Sequence, residues 1–439
     1  MSGEVLILLM FVGMIVGIFM GAPIAFVLGT LSIVFGLIGW GPDSFQMFVI
    51  RIWGVMQNFV LVAIPLFVFM GFVLEKAGLA EDLYDSMEAL IGRRVRGGLA
   101  IGTIAFSTII ATCTGIVATA VVTAGVLSLP SMFKRGYNKE LAMGSVAAGG
   151  TLGILIPPSI MLIFYAAESG MSAGKLFLAA FGPGFLLSAI YMTYIGIICT
   201  VRPQLAPAPA EGVGAVSFRE YLRLFKGIIP VLGLILCVLG VIILGIATPT
   251  EAAGTGALGS LIVAAAHRRL NWRLVWDSAL RTMENVGMMG LIISGAVSFA
   301  SVFLGLGGED IVMDVIDALG LGPIGVVAFA LIIVFFLGML IDWVGILYIC
   351  LPLFLSLVEV MEINPLWFAL LICVMLQTAW LTPPFGFSLF FLRSIVPPEI
   401  TFGSIIRSCL PFVGLQILGI ILLIIFPKII VWLPSLVYK

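Results

Sequence analysis

Histidine and charged side chains are scarce in this sequence of 439 residues. One histidine, His267, is present, and Asp, Glu, Lys and Arg together make up 10% of the chain. Soluble domains contain about 25% charged residues, so a chain that is 62% hydrophobic, with a mean hydropathy of +1.26, is a multi-span membrane protein. The net charge of -1 gives no reason to expect a nucleic acid or an acidic macromolecule as partner.

Cysteine is present, but never in a pattern that binds metal or forms a disulfide framework. The six cysteines are isolated within apolar runs, and the sequence has no CxxC pair and no Cys/His cluster. His267 lies in a basic loop, where we interpret it as a loop cation. Because intramembrane hydrolases need a nucleophile and base or a metal centre, this composition argues against a membrane-embedded enzyme. We therefore expect neither an enzyme nor a bound cofactor.

Apolar runs of about 20 residues recur along the chain, long enough to cross a hydrocarbon core of about 30 Å. Basic residues cluster at 93–96, 134–135, 219–226 and 267–281, and the positive-inside rule places these loops in the cytoplasm. Both termini are then outside. The predicted crossings of the lipid bilayer are residues 4–20, 22–40, 57–74, 141–167, 176–200, 228–246, 250–266, 284–304, 365–391 and 409–431.

Two further segments are short for two crossings, although both ends of each lie on one side. Residues 97–130 lie between two basic clusters, and two crossings with a turn need about 40 residues. The polar middle, Thr112 to Gly115, predicts a re-entrant helical hairpin that turns near mid-membrane. Residues 322–357 lie between two acidic loops and predict a second hairpin, which enters from the opposite face. The middle of that second segment contains Gly338, Asp342 and Gly345.

Each hairpin is followed by an apolar run that contains a pair of prolines. Pro157-Pro158 lies within residues 141–167, and Pro383-Pro384 lies 226 positions later within residues 365–391. A proline inside a helix removes a backbone donor and clashes with the preceding turn, so both runs are predicted to be discontinuous helices. Lipid tolerates such breaks only where they face protein or water, and paired breaks are typical of the binding sites of secondary transporters.

The predicted fold class is an all-α polytopic membrane protein with two inverted-topology repeats. Each repeat has five crossings, of which one is the discontinuous helix, and one re-entrant hairpin. The odd number of crossings inverts the second repeat relative to the first. Residues 1–201 form the first repeat, 202–226 a proline-rich cytoplasmic linker and surface helix, and 227–439 the second repeat. The division is supported by similar strings at 78–82 and 305–310, whose Glu-Asp pairs are offset by 228.

The tips and breaks together offer carbonyls, hydroxyls and helix ends near mid-membrane. Carbonyls at helix C-termini coordinate hard cations such as Na⁺, whereas helix N-termini favour anions. Asp342 is either a cation ligand or protonation site, or a helix cap that bonds to backbone. The threonines are either ligands or bond to their own helix backbone. The candidate cation contacts are Thr112, Thr114, Gly115, Thr151, Gly153, Gly338, Asp342, Gly345, Thr378 and Thr382.

A substrate is expected beside the same tips and breaks. Trp343 and Trp380 are candidates for the cavity wall, with packing as the alternative role. Arg393 follows the second discontinuous helix, where its guanidinium either extends to the membrane interface or contacts a substrate anion. The candidate substrate contacts are Cys113, Pro157, Pro158, Ser159, Pro383 and Pro384.

Four strings of residues resemble a known family: residues 63–67 with 78–80, 150–159, 247–253 and 381–384. On these strings the sequence resembles the large membrane (permease) subunit of TRAP transporters, the tripartite ATP-independent periplasmic type, from Gly21 to Pro427. The first hairpin tip departs from the family, in which it is often rich in Ser and Gly, because here it reads Thr112-Cys113-Thr114-Gly115.

The resemblance implies secondary active import of a small organic acid, commonly a carboxylate, across the bacterial inner membrane. It implies coupling to a gradient of Na⁺ or protons, without ATP. It also implies two partner chains: a small four-helix TRAP membrane subunit and a periplasmic solute-binding protein that delivers the substrate. Such subunits are similar to elevator-type ion transporters, in which a domain of hairpins and broken helices slides against a scaffold.

Two other kinds of transport protein remain as alternatives. A stand-alone di- or tricarboxylate–cation symporter of related elevator fold would share the inverted hairpins and would work without a binding protein. A channel would need a continuous polar pore, which fits two paired interruptions less well than a gated site at mid-membrane.

Overall fold

The computed structural model describes residues 2–92, 95–208 and 218–438, and over these residues it is helical with no strand. Their side chains are described except at 111, 113, 114 and 218–228. The helices of the first half are α1 (Gly3–Phe19), α2 (Ile24–Trp40), α3 (Ser44–Met56), α4 (Ala63–Lys76), α5 (Leu79–Met87), α6 (Gly98–Thr114), α7 (Val117–Lys134), α8 (Lys139–Thr151), α9 (Ile160–Ser169) and α10 (Ala173–Val201).

The second half begins with a helix that starts within the predicted linker and surface helix, 202–226, and continues past its end, whereas residues 209–217 lie outside the described part of the chain. Its helices are α11 (Phe218–Ile243), α12 (Pro249–Ala266), α13 (Trp272–Gly305), α14 (Gly308–Leu319), α15 (Pro323–Gly338), α16 (Trp343–Val360), α17 (Pro365–Leu381), α18 (Phe387–Ile395), α19 (Phe402–Ile425) and α20 (Lys428–Val437).

Within the described residues, seven helical stretches are long and apolar enough to cross a membrane, which confirms a multi-pass chain. Shorter apolar helices and the two interrupted helices account for the other predicted crossings. Two of the seven stretches are the hairpin arms α7 and α16, because length and hydropathy do not distinguish a hairpin arm from a crossing. The seven stretches are Ile24–Met56, Phe59–Lys76, Val117–Lys134, Ala173–Val201, Trp272–Gly305, Trp343–Val360 and Phe402–Ile425.

Several helix bounds differ from the predicted crossings. The helix α3 was not predicted, and α13 begins at Trp272 instead of near residue 284. Hydropathy alone misses the first turns of α13 because they are charged, whereas the Asn271 side chain fixes the helix start by accepting a hydrogen bond from Leu274 N at 2.8 Å. The predicted crossing 409–431 is divided between α19 and α20, because Pro427 lacks the N–H that would continue the helix.

Both helical hairpins are present at the predicted positions. The arms α6 and α7 pack on each other and are joined by Gly115, with a left-handed φ of 58°, and the extended Ile116. The arms α15 and α16 pack on each other and are joined by residues 339–342. Asp342 starts α16, because its carboxylate accepts a hydrogen bond from Val344 N at 3.3 Å.

Both proline pairs interrupt a helix. In the first, α8 ends at Thr151, a 3₁₀ turn covers Leu152–Ile154, and α9 begins at Ile160. In the second, α17 ends at Leu381 and α18 begins at Phe387. The Pro157-Pro158 and Pro383-Pro384 peptide bonds are both cis. The predicted discontinuous helices are therefore confirmed.

Packing separates two groups of helices. The helix α4 packs on α12 and α2 packs on α13, whereas α8 packs on α6, α7 and α19, and α17 packs on α15 and α19. Contacts of α13 with α16 and of α4 with α6 join the groups. The repeats meet within the second group, where Thr151 Oγ1 lies 3.5 Å from Gln377 Oε1, an atom of the residue 226 positions later.

Candidate functional site

A cavity of about 680 Å³ lies where both hairpin tips approach the first group of helices, and we name it the apolar cavity. One wall contains Gly115, Asp342 and Trp380, which belong to the two tips and the second interrupted helix. The opposite wall contains the start of α2 and one face of α13. The residues that line the cavity are 18, 21–26, 115–118, 154, 285, 288, 289, 291, 292, 340, 342, 343, 380, 385, 387 and 391.

The first tip adjoins the first break. A side chain on Gly115 would lie 3.2 Å from Ile160 Cγ1 and 3.7 Å from the Pro158 carbonyl oxygen, so the tip rests against the turn before α9. Thr112 is buried, and its hydroxyl donates to Ile109 O at 2.6 Å. The side chains of Cys113 and Thr114, two further predicted contacts, lie outside the described part of the chain.

The first break is closed by its own hydrogen bonds. Ser159 is fully buried; its hydroxyl donates to Ile154 O and accepts from Leu162 N at 3.4 Å, which caps α9. The Pro157-Pro158 pair and Gly153 are also buried. None of these four residues is among the described residues that face the apolar cavity, whereas the neighbouring Ile154 is. Their predicted roles remain predictions.

The candidate threonines bond to their own helices, as one of the two interpretations anticipated. The hydroxyl of Thr151 donates to Ala148 O at 2.8 Å, that of Thr378 to Met375 O at 2.7 Å, and that of Thr382 to Thr378 O at 2.8 Å. A hydroxyl that donates its proton keeps oxygen lone pairs for a cation, so this bonding is compatible with either role.

The second tip adjoins the second break. A Cβ on Gly338 would lie 2.7 Å from Ala379 Cβ, so only glycine allows α15 to approach α17 this closely. Asp342 combines both predicted features, because it caps α16 and also lines the apolar cavity. Gly345 lies in the first turn of α16, beyond the tip itself.

The second break is more open than the first. Pro383 is half-buried and Pro384 is exposed, and neither is among the described residues that face the apolar cavity. Gly386 precedes α18 without a side-chain cap. Arg393 at the end of α18 donates to Ile400 O at 2.6 Å, which ties α18 to the end of the loop before α19.

Both tryptophans named from the sequence line the apolar cavity. Trp343 packs edge-on against Phe164 with ring centroids 5.3 Å apart, and Trp380 packs against Phe387 with centroids 5.6 Å apart. Trp380 is nine-tenths buried, and its indole Nε1 has no hydrogen-bond partner in the described part of the chain. Packing and cavity lining are therefore simultaneous roles of these side chains.

Sequence reasoning missed the opposite wall. Residues 22–26 were predicted as the start of the crossing 22–40, with no role in a site, although Pro23 and the start of α2 face the cavity. Asn285, with Met288 and Met289, contributes from α13. The available signal was Asn285, a polar residue next to Glu284 at the start of the predicted crossing 284–304, together with the Gly-Ala-Pro turn at residues 21–23.

A second cavity of about 500 Å³, here named the charged vestibule, adjoins the first. It contains Lys76, Asp277, Arg281 and Glu284, and it shares residues 116, 118 and 285 with the apolar cavity. Lys76 Nζ lies 3.0 Å from Asp277 Oδ2, a salt bridge between α4 and α13. These residues lie beside the basic clusters, so the positive-inside rule places the vestibule on the cytoplasmic side.

No group of three or more His, Cys, Asp or Glu side chains that could hold a metal occurs among the described residues. The oxygens that the described residues present at the tips are backbone carbonyls, the Thr112 hydroxyl and the Asp342 carboxylate. Oxygen ligands of this kind suit hard cations such as Na⁺.

Comparison with known proteins gives consistent matches along the chain. The family model of the tripartite ATP-independent periplasmic transporter, DctM component, matches residues 6–429. The chain is 31% identical to the C4-dicarboxylate TRAP transporter large permease protein DctM of Pseudomonas aeruginosa, over 90% of this chain and 91% of that protein. It is 28% identical to the ectoine/5-hydroxyectoine TRAP transporter large permease protein UehC of Ruegeria pomeroyi, over 86% and 87%.

A solved structure has the same kind of fold. The YdaH transporter of Alcanivorax borkumensis is similar with a TM-score of 0.61, over 92% of this chain and 96% of that chain. The sequences are 15% identical, so this likeness concerns the fold alone.

Paired hairpins, paired interrupted helices and a cavity between them define a multi-pass membrane transporter. Its relatives are permease subunits and not enzymes. The chain belongs to the DctM family, the large permease component of tripartite ATP-independent periplasmic transporters, and is a protein of the bacterial inner membrane.

Proposed function

We propose that this permease imports a small organic acid, in most cases a carboxylate, coupled to a gradient of Na⁺ or of protons. The observation that carries the proposal is the apolar cavity, which is lined by both hairpin tips and both interrupted helices. It adjoins the charged vestibule on the side of the basic clusters, as expected for a site that releases cargo to the cytoplasm. The relatives named for C4-dicarboxylates and ectoine support this class of cargo.

The coupling cation is proposed to bind at the tips, beside the cargo. Asp342 supplies a negative charge at the second tip, and the Thr112 hydroxyl with the Gly115 region supplies neutral oxygens at the first. Binding of a cation there compensates the cost of a carboxylate inside the membrane. A cargo anion next to a bound cation is stabilised in turn, which is the physical basis of coupled transport.

Movement is proposed to follow the elevator mechanism. The apolar cavity lies between the helices of the tips and breaks on one side and α2 with α13 on the other. Sliding of the helices of the tips and breaks past α2 and α13 would carry the cargo from one face of the membrane to the other.

Two partner chains are part of the proposal. A periplasmic solute-binding protein delivers the cargo, and a small four-helix membrane subunit accompanies the permease as a separate chain. Support comes from the tripartite family and from the Pseudomonas relative, a large permease of which this chain covers 91%.

Uptake by proteoliposomes tests the proposal. The permease, its small subunit and the binding protein are reconstituted, and uptake of labelled organic acids is measured under an inward Na⁺ gradient, a proton gradient or neither. Uptake is expected only with a cation gradient and the binding protein. Uptake that ignores both gradients would refute cation coupling, and uptake without any binding protein would favour the stand-alone symporter.

A further inference from the structure

A buried polar cluster lies where the two repeats meet, outside the apolar cavity. It consists of Thr151 on α8, Tyr191 on α10, Gln377 on α17 and Gln416 on α19, and all four side chains are fully buried. None of the four is among the described residues that line the apolar cavity or the charged vestibule. Burial of an amide or a hydroxyl is costly unless the group is hydrogen-bonded, so each polar atom of the cluster requires a partner.

The cluster lies on the axis that relates the two repeats. Gln377 is 226 positions after Thr151, the same offset as the proline pairs, and Gln416 is 225 positions after Tyr191. Thr151 is the last residue of α8 before the first break, and Gln377 lies near the end of α17 before the second. The cluster therefore joins the two interrupted helices where each approaches its break.

Thr151 provides a partner for some polar atoms of the cluster. Its one hydroxyl proton is donated to Ala148 O at 2.8 Å, and its oxygen accepts from Gln416 Nε2 at 3.4 Å. The same oxygen lies 3.5 Å from Gln377 Oε1, a contact that becomes a hydrogen bond if the Gln377 amide turns its NH₂ group toward Thr151. Both amide contacts are longer than the usual N–H···O distance of about 2.9–3.0 Å, so the four side chains are not tightly bonded to one another.

Three polar atoms of the cluster have no hydrogen-bond partner in the described part of the chain. They are Gln377 Nε2, Gln416 Oε1 and the Tyr191 hydroxyl, which lies beside the Gln416 and Thr151 side chains. The set contains a donor, an acceptor and a group that can do both. If the Gln377 amide turns, its oxygen replaces Nε2, and the set becomes two acceptors and a hydroxyl.

Water is the ligand that satisfies this set in either orientation of the amide. It can donate two hydrogen bonds and accept two, and buried waters in proteins typically make about three. A cation would bond to the oxygens alone, and the four residues include no carboxylate to compensate its charge. An anion would bond to the donors alone and would find no cationic side chain among them.

We propose that one water molecule is bound between Gln377, Gln416 and Tyr191, and that it joins α10, α17 and α19 at the repeat axis. Through Thr151 the same hydrogen-bond network extends to α8, so both interrupted helices are held together beside their breaks. The inference goes beyond the proposed function, because it depends neither on the cargo nor on the coupling ion.

A density map of the purified permease tests the site directly, at a resolution at which other buried waters are visible. Maps are determined in sodium chloride and in choline chloride. One peak is expected in both salts, within hydrogen-bond distance of Gln377, Gln416 and Tyr191. Absence of a peak would overturn the inference, and so would a peak that is present with Na⁺ and lost with choline, because such a peak is a cation.

The variant Tyr191→Phe gives an independent test in which the two outcomes differ in sign. It removes the hydroxyl and keeps the ring, which packs edge-on against Phe412 with centroids 5.5 Å apart. Loss of a hydroxyl that binds water leaves buried polar atoms unpaired, so the midpoint of thermal unfolding in detergent should fall by about 2–4 °C. Removal of a hydroxyl that has no partner at all should instead leave the midpoint unchanged or raise it, and this result would overturn the inference.

The matched comparison is Tyr165→Phe. Tyr165 is also fully buried, and its hydroxyl also has no partner among the described residues, but it lies near the Cys373 thiol and not beside the two amides. This variant should therefore leave the midpoint of unfolding unchanged or raise it. An equal fall in both variants would show that the loss in Tyr191→Phe does not depend on the amide cluster, and would count against the water site.

Discussion

In each half of this permease, one helix begins at the hairpin tip (α7 or α16) and another begins after the break (α9 or α18). The first half has its polar helix cap after the break, whereas the second half has it at the tip. In the first half, Ser159 caps α9 in the break, whereas Ile116 leaves α7 without a side-chain cap at the tip. In the second half, Asp342 caps α16 at the tip, whereas Gly386 leaves α18 without one in the break. Ile116 and Asp342 are 226 positions apart, the same spacing as the two proline pairs.

This difference suggests that the helix starts at the two tips present charges of opposite sign to one cavity. The uncapped starts of α7 and α18 both line the apolar cavity, where they present the positive ends of helix dipoles. The capped start of α16 lines it as well, but there the carboxylate of Asp342 reverses the sign of the local charge. We infer that the start of α7 suits an anion and the start of α16 a cation, whereas the neutral oxygens that precede Gly115 at the first tip remain available to the cation.

Steric crowding explains why the second break lacks a cap. A Cβ on Gly386 would lie 2.9 Å from Thr382 O and 3.0 Å from Trp380 O, so a serine at this position would collide with backbone. Phe385 occupies the position 226 residues after Ser159 and lines the apolar cavity. The second break therefore gives a ring to the cavity wall where the first break has a buried hydroxyl.

The largest expected effect is that of Asp342→Asn. Removal of the carboxylate from the second tip should weaken the apparent Na⁺ affinity at least about tenfold, because ligand charge strongly tunes the affinity of oxygen sites for hard cations. The measurement is the initial rate of uptake against Na⁺ concentration in proteoliposomes that contain the complete system. If protons are the coupling ion, the same variant should lose the dependence of uptake on the pH gradient.

The matched control for this variant is Ile116→Val, at the repeat-related position of the first tip. It changes shape slightly and removes no charge, so its apparent Na⁺ affinity should remain that of the unmodified permease. An Asp342→Asn permease with unaltered Na⁺ and pH dependence would show that Asp342 acts only as the cap of α16.

The next largest effect concerns the first break. Ser159→Ala removes a buried hydroxyl that donates to Ile154 O and accepts from Leu162 N, so the free energy of unfolding should fall by about 1–2 kcal/mol. Thermal unfolding in detergent measures the change. Ser435→Ala is the control, because Ser435 is exposed and bonds within its own helix; an equal loss in both variants would contradict the role of the cap.

The hairpins and breaks were predictable from sequence because their causes are local. Pro157-Pro158 and Pro383-Pro384 cannot continue a helix wherever the chain places them. The basic and acidic clusters fix the sides on which segments 97–130 and 322–357 begin and end. These features can therefore be predicted without any knowledge of tertiary packing.

The cavity was less predictable, because it depends on which helices meet. Residues 22–26 and Asn285 face the tips only because α2 packs on α13, a pairing that no local pattern encodes. The cap formed by Ser159 was also hidden, since a serine after two prolines equally suits a turn or a substrate contact. Asp342 was identified because a carboxylate within an apolar run is energetically costly and therefore indicates either a ligand or a helix cap.

A smaller effect is expected at the first tip. Thr112→Val keeps the volume of the side chain and removes its oxygen, so a neutral ligand is lost and the apparent Na⁺ affinity should fall about threefold. Sodium dependence of uptake is again the measurement. Thr200→Val is the control, because Thr200 is exposed and donates to Gly196 O within α10; no difference between the two variants would exclude Thr112 from the cation site.

The smallest effect should come from giving the first half the cap that it lacks. Ile116 already has an extended backbone, so Ile116→Ser can accept a hydrogen bond from the first turn of α7 without rearrangement. The added cap would compete with an anion bound at these N–H groups, so the apparent affinity for an anionic cargo should fall about twofold to threefold while the apparent Na⁺ affinity stays the same. Uptake measured against acid concentration and against Na⁺ concentration separates the two constants. A loss confined to Na⁺ affinity would place the cation, and not an anion, at the start of α7 and would reverse the assignment of the two helix starts.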